Sequence, residues 1–242
     1  MRRSRIYTPQ YLSPSGIIGL EGPASHYLLR VLRLSMGDAV TLFNGDGRDY
    51  LGEVCDVQRR CVNVRITGSE VPGTESPLKI TLAQAISRGE RMDYSLQKAT
   101  ELGVFCIQPL TSSRVEVRLD EKRQEKRLAH WQGVVTSACE QSGRAFVPEV
   151  KTPLSLHEWM VANDGSPRLV LDPVAATRLS ALALNSDSVS ILVGPEGGFS
   201  EAEMEWVRAN GIQAVSLGSR VLRTETAGPA AIAVLQANAG DL

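Results

Sequence analysis

Two short segments in the last quarter of the chain combine glycine with charged side chains. The first is Gly194-Pro195-Glu196-Gly197-Gly198, and the second runs from residue 217 to 227 with the sequence LGSRVLRTETA. Each follows a short apolar run typical of a buried strand, and loops at such strand ends are where α/β proteins usually bind ligands. In the second segment, Arg223 suits bidentate contact with an oxyanion or a phosphate. It could equally pair with Glu225 or Glu196 as a structural clamp, so both interpretations stay open.

The first segment, which we call the glycine turn (residues 194–198), lacks the spacing of the common phosphate-binding motifs. No Lys-Ser or Lys-Thr pair follows it, as a P-loop requires, and its glycines do not fit the G-x-G-x-x-G register of dinucleotide folds. Glu196 and the nearby Glu201 and Glu203 would also repel a phosphate. A ligand with a cationic centre, held by main-chain groups, therefore fits better. The alternative is a tight strand-to-helix turn that binds nothing.

Strand and helix patterns alternate after residue 77, which predicts a mostly parallel sheet with helices on both faces. A helix with apolar positions from Met92 to Leu102 should end at Gly103, and Ser200 with Glu203 predicts a capping box. We expect the last helix to cover residues 230–237. The predicted strands are 78–83, 104–107 (ending before Pro109), 169–171, 189–193 and 214–217.

The first 70 residues have the alternating pattern of half-buried strands, at 39–43, 50–57 and 61–66. Asn44-Gly45 favours a hairpin because both residues tolerate positive φ. Residues 26–34 fit one short helix, so the simplest prediction is a small β-barrel. The Gly- and Pro-rich stretch 68–77 is the best linker, which gives two expected domains, 1–72 and 73–242.

Composition indicates an ordinary globular protein, with 43% hydrophobic and 22% charged residues. No apolar run approaches the roughly 20 residues that a membrane span needs, and no apolar segment follows the basic N-terminus. We therefore expect a cytoplasmic protein without membrane contact. The four cysteines form no C-x-x-C pair and the three histidines are scattered, so no metal site is expected.

The two segments, taken together with matches elsewhere, resemble the RsmE family of ribosomal RNA uridine methyltransferases, which belongs to the SPOUT superfamily. In the second half the matching sequences are LVGPEGGFS at 192–200 and LGSRVLRTETA at 217–227. Further matches are SRGERMD at 87–93, QKATELGV at 97–104, ACEQSGR at 138–144, and His26, Val31-Leu32-Arg33 and Gly37-Asp38 near the front. The resemblance covers nearly the whole chain. One departure is Ser112-Ser113-Arg114-Val115, where relatives commonly have Glu-Arg-Ser, so only Arg114 carries over.

The resemblance implies an α/β SPOUT domain with a C-terminal trefoil knot, preceded by a PUA-like β-barrel that binds RNA. It also implies a homodimer, with S-adenosylmethionine bound in a bent form in the knot. The cationic sulfonium of that cofactor agrees with the acidic bias of residues 161–242, which hold five Lys/Arg and nine Asp/Glu. The positions that carry over as cofactor contacts are Leu171, Gly194, Glu196, Gly198, Leu217, Gly218, Val221, Leu222 and Thr226.

The implied reaction is methyl transfer to N3 of a uridine in 16S ribosomal RNA, either free or in the small subunit. Because N3 must lose a proton before it attacks, catalysis needs a proton acceptor and stabilisation of the uracil oxygens. Our hypothesis is that Arg223 stabilises the uracilate and Glu225, or as second choice Glu196, assists proton removal. The arginines expected to contact RNA are Arg2, Arg3, Arg5, Arg30, Arg33, Arg88, Arg91, Arg114 and Arg144.

Two other functions are compatible with the sequence. A SPOUT enzyme could methylate a ribose 2′-hydroxyl or another base, and only the resemblance separates these reactions. A protein that binds ribosomal RNA without catalysis is the alternative from a different class. Binding of S-adenosylmethionine would separate that module from an enzyme.

Overall fold

The structure, a computed structural model, describes residues 4–114, 121–162 and 165–242. The chain forms two compact units. The first comprises Met1–Glu75 and Cys139–Val147, and the second comprises Ser76–Ala138 and Pro148–Leu242. Each unit has its own sheet. No helix in the described ranges is both long enough and apolar enough to cross a bilayer.

The first unit is built on a five-stranded sheet. Its strands are β1 Ser4–Tyr7, β2 Gly16–Glu21, β3 Ala39–Phe43, β4 Asp49–Val57 and β5 Cys61–Glu70. They lie in the order β1-β3-β4-β5-β2, in which β1 and β3 pair in parallel and the other pairs are antiparallel. A short helix, α1 (Gly22–His26), continues as one turn of π-helix to Val31.

The hairpin predicted at Asn44-Gly45 is confirmed, since β3 and β4 pair as neighbours and Gly45 has a φ of 92°. Alternate side chains of β5, including Val62 and Val64, are fully buried in an apolar core. Two predicted boundaries are wrong. The helix begins at Gly22 rather than residue 26, and the expected linker overlaps β5, which runs to Glu70. Residues 68–70 extend the strand because they pair with the first residues of β4.

The second unit contains a seven-stranded sheet in which every pairing between the described strands is parallel. The strands are β6 Lys79–Ala85, β7 Cys106–Thr111, β8 Glu149–Val150, β9 Leu154–Ser155, β10 Arg168–Leu171, β11 Ser188–Val193 and β12 Gln213–Val215. Their order in the sheet is β12-β10-β11-β6-β7-β8, and β9 also pairs with β7. The helices after residue 75 are α2 Glu90–Glu101, α3 Glu121–Ser142, α4 Leu156–Val161, a 3₁₀ turn at Leu179–Ala181, α5 Glu201–Ala209 and α6 Thr224–Ala239.

The predicted parallel α/β arrangement of this unit is confirmed, together with several of its local signals. Gly103 follows α2 with a φ of 85°, and Ser200 and Glu203 form the predicted capping box at the start of α5. Most residues of β6 and β11 and the two central residues of β10 are buried, as in strands covered on both faces.

Two predictions in this unit are wrong. Strand β7 continues through Pro109, which was expected to lie beyond its end. Proline is tolerated there because β8 pairs only with residues 106–107 and β9 only with 110–111, so Pro109 lies between these two short ladders. The last helix begins at Thr224 rather than residue 230. Glu225 and Thr226 therefore belong to the first helical turn and not to a loop.

Candidate functional site

A cleft of about 670 Å³ lies at the carboxyl ends of three adjacent strands, β12, β10 and β11. The loops that follow these strands supply most of its lining, together with one side of α5 and the first turn of α6. This is the edge of a parallel sheet at which α/β proteins usually bind ligands, and the volume is typical of a small-molecule site. Both segments singled out from the sequence therefore meet in one cleft.

Most of the predicted cofactor positions line this cleft. They are Leu171, Gly194, Glu196, Gly198, Leu217, Val221 and Leu222. The other two, Gly218 and Thr226, are next to lining residues in the chain but do not themselves line the cleft. Arg223 and Glu225, the proposed catalytic pair, do line it. The structure thus brings the predicted site residues together around one volume.

The glycine turn is fixed by contacts with three other segments. The hydroxyl of Thr224, at the start of α6, donates to the carbonyl oxygen of Gly194 at 2.6 Å. Arg114, which follows β7, donates from Nη1 to the carbonyl oxygen of Gly197 at 2.7 Å. Arg91 of α2 pairs with the carboxylate of Glu196 at 3.1 Å. The turn is therefore held before any ligand binds, which favours a preformed site.

Glu196 is held as a carboxylate. Partial burial opposes its ionisation, but its own N–H, the N–H of Arg88 and the guanidinium of Arg91 all donate to it and lower its pKa. A carboxylate with a lowered pKa is a weaker base. Glu196 is therefore better suited to anchoring the glycine turn than to accepting a proton.

Glu203 links the start of α5 to the loop after β7. Its carboxylate accepts hydrogen bonds from the N–H groups and hydroxyls of Ser200 and Ser113, all between 2.8 and 2.9 Å. Partial burial alone would raise the pKa of Glu203, but these hydrogen bonds outweigh it and lower the pKa. Within the segment 112–115, whose role the sequence left open, Ser113 is thus tied to the start of α5, while Val115 lies outside the described residues.

We expect Glu203→Ala to lower the free energy of unfolding by about 1–2 kcal/mol, because it removes half of a capping box and the Ser113 contacts. Chemical denaturation at pH 7 would measure this, with Glu205→Ala, exposed on the same helix, as a control expected to change it by less than about 0.5 kcal/mol. The pKa of Glu203 is lowered in the folded state, so its stabilisation is present above the ordinary carboxyl pKa of about 4.3 and is lost at lower pH. The difference between wild type and Glu203→Ala should therefore shrink on acidification; a constant difference would contradict this assignment.

Arg223 and Glu225 have contrasting environments at the start of α6. The Arg223 side chain is 80% exposed, whereas that of Glu225 is 15% exposed, and their charged atoms are 4.0 Å apart. An ion pair at this distance with one exposed partner is weak. The guanidinium is therefore accessible to a ligand, while the carboxylate is held at the cleft.

Two arginines predicted to contact RNA have protein partners within the first unit. Arg144 is 4% exposed and donates to the carboxylate of Glu75 through Nε and Nη2. The guanidinium of Arg5 pairs with Asp49 and lies over the ring of Phe43. Each of the two guanidinium groups therefore has a partner within the unit, and neither is an exposed charge available to RNA.

The other arginines that were predicted to contact RNA are exposed wherever the structure describes them. They are Arg30, Arg33, Arg88, Arg91 and Arg114, while Arg2 and Arg3 lie outside the described residues. Arg91 and Arg114 also support the glycine turn, so the structure gives them a positioning contact that the sequence did not indicate.

The sequence interpretation missed Asp172, a lining residue directly after β10. Its carboxylate accepts a hydrogen bond from Arg208 of α5 at 2.7 Å and another from the N–H of Val174. The signal was available, because an acidic residue immediately after a buried strand lies at the ligand-binding edge of a parallel sheet.

No cluster of His, Cys, Asp and Glu among the described residues could hold a metal ion. Two cysteines, Cys106 and Cys139, are buried, and burial raises the pKa of the Cys139 thiol to about 12. Such a thiol is protonated at neutral pH and is a poor nucleophile.

Two family models match the chain. A family model described as an RNA methyltransferase domain matches residues 74–236, and one described as an RNA methyltransferase PUA domain matches residues 20–67. A relative from Buchnera aphidicola, named ribosomal RNA small subunit methyltransferase E, is 35% identical over 100% of this chain and 98% of its own length.

Two solved structures are similar over their full length. A protein from Legionella pneumophila, solved in complex with the cofactor S-adenosylmethionine, is 40% identical with a TM-score of 0.96 and 100% coverage of both chains. The ribosomal RNA small subunit methyltransferase E of Neisseria gonorrhoeae, also bound to S-adenosylmethionine, is 39% identical with a TM-score of 0.94 and the same coverage. The resemblance inferred from the motifs is confirmed, and the chain belongs to the ribosomal RNA small subunit methyltransferase E family.

Proposed function

We propose that this protein methylates N3 of a uridine in 16S ribosomal RNA with S-adenosylmethionine as methyl donor. The observation that supports it most is the single cleft formed by the glycine turn and residues 217–227, in a chain whose relatives of similar length are small-subunit rRNA methyltransferases. Two structural neighbours with the same fold were crystallised with S-adenosylmethionine. The reaction is therefore assigned to this cleft.

The cleft has the chemistry that this cofactor requires. Its apolar side chains Leu171, Leu217 and Leu222 suit a planar base, and the main chain of the glycine turn can address the edge of that base. Glu201 and Glu225 supply negative charge for a cationic centre. When bound, S-adenosylmethionine supplies an electrophilic methyl group.

We assign the proton-transfer and charge-stabilising roles to α6 and the residue before it. As N3 of uracil loses its proton, negative charge develops on the flanking oxygens, and the exposed guanidinium of Arg223 can donate to them. Glu225 is our proposed proton acceptor, because Glu196 already accepts from Arg88 and Arg91 and its pKa is lowered. Both carboxylates line the cleft.

The substrate side of the proposal uses both domains. We propose that residues 1–72 form the RNA-binding domain and residues 73–242 the methyltransferase domain, with a C-terminal trefoil knot and assembly as a homodimer. The exposed arginines Arg30, Arg33, Arg88, Arg91 and Arg114 are the proposed RNA contacts, and Arg2 and Arg3 are kept as candidates from the sequence. Phosphate contacts of this kind make binding strongly salt-dependent. Because the proposed substrate is ribosomal RNA, we expect the protein to act in the cytoplasm.

The decisive experiment is mass spectrometry of nucleosides from unmodified ribosomal RNA or small subunits treated with protein and S-adenosylmethionine. We expect 3-methyluridine in 16S RNA, and no product when the cofactor is omitted. A 2′-O-methylated nucleoside or a methylated base of another kind would assign a different RNA reaction to the cleft. Cofactor binding without any methylated product from either substrate form would contradict catalysis and favour the RNA-binding module.

A further inference from the structure

Three buried polar side chains form a continuous hydrogen-bonded row behind the cleft. Ser95 of α2 donates from its hydroxyl to Oε1 of Gln84 at 3.2 Å. Gln84 of β6 donates from Nε2 to the hydroxyl oxygen of Thr224 at 3.0 Å, and Thr224 donates to the carbonyl oxygen of Gly194 at 2.6 Å. Ser95 and Gln84 are fully buried and Thr224 is 7% exposed. We call these three residues the buried row.

The direction of each hydrogen bond in the buried row is fixed by its neighbours. Gln84 uses its second amide proton on the carbonyl oxygen of Ala85, so its carbonyl oxygen is left to accept from Ser95. Because Nε2 of Gln84 donates to Thr224, the single hydroxyl proton of Thr224 is directed to Gly194. Removing one member would leave buried polar atoms of the others unpaired, which costs more than the net gain from a typical hydrogen bond.

The row ends at the cleft and not in the core. Gly194 is the first residue of the glycine turn, and both it and Thr224 line the cleft. The packing around the row is close, because a Cβ atom added at Gly228 of α6 would lie 3.2 Å from Oε1 of Gln84 and 3.3 Å from Leu82. Glycine at this position therefore lets α6 approach β6 closely enough to join the row.

We propose that Ser95, Gln84 and Thr224 are positioning residues for the cofactor: they fix the orientation of the Gly194 peptide, and through it the shape of the glycine turn. The inference rests on the proposed function, because it concerns S-adenosylmethionine in the same cleft. Gln84 and Ser95 lie outside the lining of the cleft and act through Thr224. Cofactor affinity is therefore expected to depend on the hydroxyl of Ser95 and the amide of Gln84, although neither residue lines the cleft.

The test is calorimetric titration of S-adenosylmethionine into wild-type protein and Thr224 variants. We expect Thr224→Val, which keeps the shape but removes the hydroxyl, to raise the Kd about tenfold, because the Gly194 peptide would hold the orientation that binds the cofactor in only about a tenth of the free protein. Thr224→Ser keeps the hydroxyl and should bind within about threefold of wild type. In methylation assays the change should appear in the KM for S-adenosylmethionine, with kcat retained at saturating cofactor.

Thr100→Val is the matched control, because Thr100 is also fully buried and its hydroxyl donates to the carbonyl oxygen of Leu96 within α2. It should lower the melting temperature without changing the Kd. Ser95→Ala provides a second variant that folds readily, since alanine is favourable in a helix, and it should raise the Kd about threefold. Equal Kd values for wild type, Thr224→Val and Ser95→Ala would overturn the inference while leaving the proposed function intact. Wild-type protein that binds no cofactor would instead refute the function itself.

Discussion

Replacing Arg223 by alanine should lower kcat for methylation of 16S ribosomal RNA by about 10² to 10³-fold, the usual cost of removing one donor that stabilises a developing oxyanion. The Arg223 guanidinium lines the cleft, is 80% exposed, and lies 4.0 Å from the carboxylate of Glu225. It is therefore free to donate to the uracil oxygens as N3 loses its proton. The measurement is single-turnover methylation with saturating RNA and cofactor.

Two further variants separate charge stabilisation from general attraction of RNA. Arg223→Lys keeps the charge but not the planar fork of donors, so we expect it to recover only part of the rate. Arg220→Ala removes an exposed guanidinium from the same cleft three residues earlier. We expect it to raise the KM for RNA less than about tenfold while kcat is retained. Full methylation rates for Arg223→Ala at saturating RNA would rule out the proposed role.

The elements that could be predicted from the sequence are those whose local signals agree with their tertiary environment. Two apolar runs correctly indicated the strands β10 and β11. The Ser200–Glu203 capping box marked the start of α5, and the glycine after α2 marked the end of that helix. Pro109 shows the limit of such signals. A proline usually ends a strand, and only the gap between β8 and β9 makes it acceptable inside β7.

The start of α6 could not be located for a related reason. Residues 224–229 include Thr224, Gly228 and Pro229, which are poor residues for a helix interior, so the pattern favoured a later start. In the folded protein Gly228 leaves room for the side chain of Gln84, and Thr224 donates to the carbonyl oxygen of Gly194. Both partners are distant in sequence. Local propensity carries no information about such partners.

Prediction of the site was more complete for backbone positions than for the charged side chains around them. Motif resemblance gave the glycine turn and residues 217–222, and the structure brings most of these positions together. It could not show that Arg91 and Arg114 support the turn, or that Arg144 is paired with Glu75 in the interior of the first unit. An arginine has the same appearance in a sequence whether it is exposed or paired, because its partner is set by the fold.

The second large effect is expected at the glycine turn, where Gly194→Val should raise the Kd for S-adenosylmethionine by at least about 100-fold. A Cβ atom at Gly194 would lie 3.3 Å from two ring atoms of Phe199 and 3.4 Å from its backbone nitrogen. Valine adds two further methyl groups at this crowded point, so either Phe199 or the turn must move. Because Gly194 and Phe199 both line the cleft, either movement changes its shape.

Gly197→Ala is the matched control within the same turn. Among the described residues, a Cβ atom there would meet Cδ of Arg114 alone, at 3.6 Å, which is ordinary van der Waals contact. We expect this variant to bind S-adenosylmethionine within about threefold of wild type, whereas Gly194→Val binds poorly and keeps a cooperative thermal transition. Calorimetric titration of both variants measures the difference. If Gly194→Val retained wild-type affinity, the ligand would not depend on the close approach of the turn to Phe199, and the cofactor would have to be placed elsewhere in the cleft.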